Sequence, residues 1–406
     1  MRLLFVADGR SPIARNWMLY WIEEGHDVHL LSTHGCEADS RLSSYHVVPV
    51  AFSSRAGAGK GRRGSRSPRH SLSLGFKLRM RNWLGPLTLP WAGRVARSLI
   101  ERCAPELVHA MRIPFEGMLA AVADPPAPLL ISIWGNDFTL HARSNPAMAW
   151  YTRKTLRRAQ GLHADCRRDV RLAIGRGYPS KGPRIVLPGG GGVRPEYFHR
   201  RTSDHIPDSD IPQMVQRIPV DRPTVINPRG FRVYIRNDTF FHAIPIILQA
   251  EPRAQFLCPG MQGKAQAEAT LDALEIRDAV WLLPSVSPAV MGLLFRQSQV
   301  MVSPSEHDGT PNTLLEAMAC GSFPVVGDLE SLREWIEDGV NGSLIDSGDA
   351  DHLAQAVVHA MRTPALRERA ARENERLIAQ RGTYHVVMGQ AEAFYRTLIA
   401  APPSIH

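Results

Sequence analysis

The sequence predicts an α/β protein of two open, parallel-sheet domains facing each other across a cleft. Three observations carry this. The chain has 406 residues, more than one ordinary core holds. Short apolar runs alternate with amphipathic stretches in both halves, the pattern of repeated βαβ units. A polar, proline-containing stretch, Arg200–Arg222, separates the two sets.

Arg2–Ala7 reads as a buried strand, Asn16–Glu24 as a helix ended by Gly25, and Asp27–Ser32 as the next strand. The alternation returns in Leu107–Met111, Leu129–Ile133, the helical Ala147–Ala159 and Ile185–Leu187. Ser53–Ser73, rich in Gly, Ser and Arg, reads as a long mobile loop. In the second set Thr224–Asn227, Gln255–Pro259, Val280–Leu283, Val300–Ser303 and Phe323–Val326 are strand-like. Phe240–Leu248, Ala289–Gln297, Leu314–Ala319, Ala350–Arg362 and Leu366–Gln380 are helical, and Gln390–Ile399 reads as a last helix returning to the first domain. The expected division is residues 1–195 (with a basic loop at 53–81), a linker 196–222, a second domain 223–385 and a returning helix within 386–406. In such sheets ligands sit at the carboxyl ends of the strands.

Composition sets the class. With 44% hydrophobic and 21% charged residues, the chain is not a disordered one. No apolar run approaches the ~20 residues of a membrane span, and Asp8 interrupts the apolar start, so no signal peptide is expected. Five scattered cysteines (Cys36, Cys103, Cys166, Cys258, Cys320) fit neither a disulfide framework nor a zinc spacing, which points to a reducing compartment and a cytoplasmic protein. The net charge of +9 is a local feature. Ser40–Ile100 holds no acid and twelve basic residues, ten of them arginines. The five lysines of the whole chain are far outnumbered by arginine, so arginine is expected in roles a lysine can fill.

The run Val302–Gly321, VSPSEHDGTPNTLLEAMACG, carries the most chemistry. A buried strand leads through Asp308, Gly309 and Thr310 into a helix, with Thr310 as expected N-cap, Pro311 at the first helical position and Gly321 ending it. The amides of Thr310, Asn312 and Thr313 and the helix dipole make that tip an anion site. Glu316, one turn on, can reach a hydroxyl of a group whose phosphate lies at the tip. Phosphate on amides and a diol on a carboxylate is what a nucleotide-sugar needs. Taken alone, an acid pair eight positions apart is more often a dipole balance and a loop acid.

The whole string, followed by Pro324–Val326, Glu334 and Gly339–Gly342, resembles the retaining, GT-B-fold glycosyltransferases of family 4, the glycosyl transferases of group 1. The resemblance implies two Rossmann-like domains and transfer of a hexose from a nucleotide-sugar. It assigns Asp308 to the donor sugar, Glu316 to the ribose, and the Gly309–Thr313 amides to the diphosphate. Asp stands where the family usually has Glu, so the reach is one methylene shorter. Asn227–Asp238 (NPRGFRVYIRND) resembles the family segment whose Arg and Lys grip the diphosphate. Arg229 fits the Arg. The Lys position falls at Tyr234 or Ile235, and Arg236 or Arg232 is expected to supply the second charge, Arg236 preferred. Ile131–Asp137 (ISIWGND) resembles the strand-His-Gly-x-Asp segment, with Trp134 in place of the His. An indole can stack on a sugar and donate a hydrogen bond but cannot shuttle protons.

Asp137 is expected to hold the acceptor, its loop or a helix start, and His109 is a candidate whose default is structural. Gly9–Ile13 is a weak phosphate turn for want of a second glycine, while Gly189–Gly192 with Glu196 reads as flexible chain near a hinge. The expected catalytic residues are thus Asp308, Arg229, Arg236 and Trp134. Glu316, Gly309, Thr310, Asn312, Thr313 and Arg232 are the expected donor-binding set. Neither a metal nor a cofactor is expected beyond a UDP-, GDP- or ADP-sugar co-substrate. For the basic loop Arg55–Arg81 three readings stand: a solvated loop, peripheral contact with anionic lipid at the inner face of the membrane, and nucleic acid, ranked last because no recognition motif accompanies it. A nucleotide-sugar epimerase of the same architecture and a non-catalytic sugar-nucleotide-binding relative are the rival functions.

Overall fold

The computed structural model describes residues 1–51, 83–200, 207–232 and 234–401. The basic loop expected at 53–81 therefore lies outside the described residues. The chain divides into two compact units, Met1–Gly191 with the stretch from Val387 onward, and Gly192–Val386.

In the first unit the described strands are β1 (Arg2–Ala7), β2 (Asp27–Ser32), β3 (Ser44–Val47), β4 (Leu107–Ala110), β5 (Leu129–Ile133), β6 (Gly161–Ala164) and β7 (Arg184–Val186). They form one parallel sheet in the order β3-β2-β1-β4-β5-β6-β7. Helices α1 (Pro12–Glu23), α2 (Leu89–Cys103), α3 (Met118–Ala123), α4 (Pro146–Arg158) and α5 (Arg167–Ile174) make the crossovers. Burial on both faces explains why β1, β4 and β5 are mostly apolar runs rather than alternating ones. Ser11 starts α1 by accepting from the Ala14 amide, with Pro12 at the first helical position.

The second unit repeats the plan with β8 (Thr224–Ile226), β9 (Gln255–Pro259), β10 (Val280–Leu283), β11 (Val300–Ser303), β12 (Phe323–Gly327) and β13 (Ser343–Ile345). These are again parallel, in the order β10-β9-β8-β11-β12-β13. Its helices are α6 (Asn237–Ala250), α7 (Ala265–Ala273), α8 (Pro288–Gln297), α9 (Asn312–Cys320), α10 (Ala350–Arg362) and α11 (Pro364–Arg381). Both sheets reverse their strand order once, between β1 and β4 and between β8 and β11. Such a reversal opens a crevice beyond the strand ends.

The last helix, α12 (Tyr384–Ala400), packs on the first unit from Val387 onward. Gly161 admits it: a Cβ there would lie 2.5 Å from Leu398 Cδ1. Trp21 stacks on Tyr395 at 4.2 Å. Tyr395 also enters a buried chain of hydrogen bonds whose direction is fixed by its ends. The Leu187 carbonyl can only accept, so His163 Nε2 carries the proton at 3.0 Å. His163 Nδ1 then accepts from the Ser132 hydroxyl, whose oxygen accepts from His109 Nε2, each at 2.7 Å. His109 Nδ1 accepts from the Tyr395 hydroxyl, and the Trp17 indole donates to the Tyr395 oxygen at 2.9 Å.

Every polar atom of this chain is satisfied only while both imidazoles are neutral. His109, a cleft candidate in the sequence, is thus a structural residue, and its default reading holds. Burial pushes His109 well below the usual imidazole range and His163 down to about 4. Since these depressed groups stay neutral when folded, their stability is present above the unfolded value of 6.5 and lost as pH falls toward 4. His163 alone accounts for on the order of 3 kcal/mol there. The melting-temperature gap between the protein and a His163→Gln variant is expected to shrink from pH 7 to pH 4, measured by calorimetry.

Candidate functional site

The crevice of the second sheet gathers residues far apart in sequence. Arg229 follows β8, Asp308 follows β11, and Thr313 and Glu316 lie on α9. Arg229 Nη2 is 2.7 Å from Asp308 Oδ2, and Nη1 donates to Thr313 Oγ1 at 3.1 Å. Both partners of this ion pair are nearly buried, the side chains being 8% and 13% exposed. A pair so placed is held by its surroundings rather than by Coulomb attraction in water. Asn227 Oδ1 accepts the Arg229 amide at 3.2 Å, and Asn237 both accepts from Asn227 and donates to the Gly230 carbonyl. Gly230 closes the loop at φ +63°, a conformation a side chain rarely adopts.

The α9 tip differs in detail from the sequence expectation. Pro311, with ψ 127°, is the extended residue before the helix, and Asn312 is its first member. Thr310 is not the cap, because its hydroxyl accepts the Trp335 indole at 3.1 Å and it is buried. The amides of Asn312 and Thr313, the first two of the helix, have no hydrogen-bond acceptor among the described residues. Gly309 is buried in the preceding turn. Ser331 fixes that turn by donating to the Asp308 carbonyl at 2.7 Å.

Glu316 is half-buried on the same helix. Desolvation raises its carboxyl to about 7, with the Arg229 guanidinium pulling the other way. This raised acid has the opposite linkage to the histidines. Stability is full below pH 4.5 and falls as pH rises toward 7, because the unfolded chain releases the proton first. Glu316→Gln is expected to raise stability at pH 8 by on the order of 3 kcal/mol and to leave it unchanged at pH 4, read from denaturant melts.

The two candidates for a second cation are placed otherwise. Arg236 is clamped by Asp238 at 2.7 Å and Glu306 at 2.9 Å, which hold its guanidinium above its ordinary value. Arg232, near the surface, donates to the Tyr234 hydroxyl at 2.9 Å. Neither joins the contacts linking Arg229 to α9.

In the first unit Trp134 is half-buried at the end of β5, with the Arg112 guanidinium 5.3 Å from its ring centre. Its indole nitrogen is enclosed without a hydrogen-bond partner among the described residues. Asp137 is fully buried and ties the loop: Arg112 donates at 2.9 Å, and the Ile113 and Trp134 amides at 3.1 and 3.2 Å. Of the readings open for Asp137, holding its own loop is the one this geometry fits. The Gly9 amide is engaged by Ser32 Oγ at 3.0 Å, while Gly191 and Gly192 take positive φ and Glu196 pairs with Arg194. Asp165, Cys166 and Asp169 bring ligand-type atoms within 4.8 Å of one another. Arg168 fills that group, its Nε on Asp169 at 3.0 Å and its Nη2 on the Gly135 carbonyl at 2.9 Å, and burial pushes the Cys166 thiol far up. It serves as a loop clamp.

Asn227, Asn237, Ser331, Trp335 and Arg112 escape sequence reasoning, since each acts through hydrogen bonds or ring contacts that only the folded loops bring together. Asn at both ends of the Arg229 loop is a signal that could have pointed to the first two.

Two family descriptions match the chain. Residues 9–190 match the description "Glycosyl transferase 4-like domain", and residues 230–363 match "Glycosyl transferases group 1". The chain belongs to the group 1 glycosyl transferases. Its fold is GT-B: sucrose-phosphate synthase from Thermosynechococcus elongatus aligns over 99% of this chain and all of its own, with a TM-score of 0.73 at 14% identity. HepE from Anabaena, solved with UDP and glucose, aligns over 98% of this chain and all of its own, with a TM-score of 0.70 at 15% identity. Among sequence relatives, phosphatidyl-myo-inositol mannosyltransferase of Mycobacterium leprae is 29% identical over 38% of this chain and 41% of its own. D-Inositol 3-phosphate glycosyltransferase of Mycobacterium avium is 33% identical over 23% of this chain and 22% of its own. The matched stretches thus span less than half the length of these relatives.

Proposed function

We propose that the protein is a retaining glycosyltransferase, moving a hexose from a nucleotide-diphosphate-sugar to a hydroxyl acceptor. The observation that supports this best is the convergence of Arg229, Asp308, Thr313 and Glu316 at the β8/β11 crevice. In this reading the α9 tip and Arg229 take the diphosphate, Glu316 takes the ribose diol, and Asp308 meets the sugar. Arg236 or Arg232 would need a rotamer change to add a second cation, and Trp134 stays a candidate sugar contact of the first unit.

The proposed chemistry is a same-face substitution. The bond from the anomeric carbon to the diphosphate oxygen breaks, and its electron pair leaves with the diphosphate. The acceptor oxygen bonds the anomeric carbon on that same face, and its proton passes to the departing phosphate oxygen. Arg229 and the α9 amides stabilise the charge that develops on the leaving group, and the rest of the work is positioning. No resident cofactor enters this scheme. A cytoplasmic location, with peripheral contact at an anionic membrane, belongs to the same proposal. Among the described residues no helix is long and apolar enough to cross a membrane.

The test is incubation with UDP-, GDP- and ADP-sugars, with and without hydroxyl acceptors, followed by NMR. Acceptor-dependent release of nucleoside diphosphate with the anomeric configuration kept is expected. An epimerised sugar from donor alone would overturn the reading, as would binding without turnover.

A further inference from the structure

The first unit carries a surface that the sugar-transfer reading does not use. Trp83, Leu87 and Trp91 follow one another every four residues, through the tight turn Gly85–Thr88 into α2, and are 61%, 74% and 63% exposed. The opposite side of α2 is buried through Leu89, Ala92, Gly93, Ala96, Leu99 and Ile100. The three exposed residues therefore form an outward ridge and not a core face left open by chance. Beside the Gly85–Thr88 turn packs α4, whose Trp150 is 57% exposed. Scattered exposed apolar residues need no explanation, but three tryptophans and a leucine on two adjoining elements do.

The charge around the ridge is mostly positive. On α4 the exposed Arg153, Lys154 and Arg157 stand next to Trp150, and that helix contains no acid. Lys154 Nζ lies 5.4 Å from the centre of the Trp150 ring. Arg94 continues the α2 ridge. The nearby acids are spent within the surface, Glu101 on Arg97 and Asp124 on Arg158.

We infer that this α2–α4 face docks on an anionic lipid bilayer, the tryptophans entering the headgroup layer and the cations meeting lipid phosphates. Tryptophan favours that layer because its ring is apolar and its N–H is wet. Lysine and arginine gain from the negative surface potential, and burying the ridge removes the apolar area that water now covers. A ridge suits insertion between lipids, whereas stacking bases of a nucleic acid need a groove. The inference rests on the peripheral membrane contact proposed above and names the face that makes it, and it stands whether or not the donor-site reading does.

The experiment is co-sedimentation of the full chain with vesicles of phosphatidylcholine, pure or holding about one third phosphatidylglycerol. At least tenfold stronger partition to the anionic vesicles is expected, falling as salt rises. Trp91→Ser with Trp150→Ser is expected to weaken that partition at least tenfold at an unchanged melting temperature. Arg153→Glu with Lys154→Glu is expected to weaken it similarly and to flatten its salt dependence. These variants behaving as the parent protein would overturn the inference. So would a lipid-independent dimer that the tryptophan variant dissolves, or single-stranded RNA bound through the same four residues in place of vesicles.

Discussion

Replacing Arg229 by alanine is expected to lower turnover by about 10²–10³-fold, the usual cost of removing one preorganised donor from a developing oxyanion. Among the described residues its guanidinium is the one cation contacting both the loop acid and α9, through Asp308 at 2.7 Å and Thr313 at 3.1 Å. The proposed mechanism asks this group to hold the leaving diphosphate, so the loss should fall on kcat more than on donor affinity. Truncation also strands the nearly buried Asp308 carboxylate, a penalty of about 1–3 kcal/mol that should appear as a lower melting temperature. Arg229→Lys restores a charge but not the two-pronged geometry, and steady-state kinetics should place it between the two. Parent-like turnover in Arg229→Ala would remove Arg229 from the mechanism.

The second large effect concerns Glu316. Glu316→Ala is expected to abolish measurable transfer and to weaken donor binding about ten- to hundredfold, the loss of hydrogen bonds to a charged group being about 1.5–3 kcal/mol. Damage to the fold can be told apart from loss of function here. Because the parent carboxyl is strained upward to about 7, the variant should bind donor poorly at pH 8 while not losing stability in proportion to a destroyed site. Calorimetric titration with donor, beside a thermal melt of the same sample, reads both quantities. Normal turnover in this variant would argue against the ribose assignment.

The sequence is most legible where burial is most complete. β1, β9, β10 and β11 are mostly apolar runs, and their bounds, like those of the mixed β2, agree with the residues alone. β3 escapes because it is a half-exposed edge strand reading SYHV. β6 escapes because Gly161 and His163 look unlike strand residues, yet the first makes room for α12 and the second is satisfied by the buried relay. α2 hides behind Pro90 and Gly93. That glycine lets the helix approach Val122, where a Cβ would sit 2.5 Å from Cγ1.

The site follows the same rule. Arg229, Asp308, Thr313 and Glu316 are all recognisable one at a time, since Gly, Pro and acid spacing around a helix start is a local signal. Their union is not local. It depends on β8 and β11 being neighbours, a pairing across 79 residues for the Arg229–Asp308 contact. The capping error at Thr310 has the same origin, for only the fold brings the Trp335 indole to its hydroxyl.

In the proposed reading α9 and Arg229 together hold two linked phosphates. Titration of nucleoside diphosphate and of the matching monophosphate, into the protein and into Arg229→Ala, tests it most directly. The protein is expected to prefer the diphosphate at least tenfold, and the variant to lose most of this preference. Equal affinity for both nucleotides, or a preference that survives the substitution intact, would contradict it.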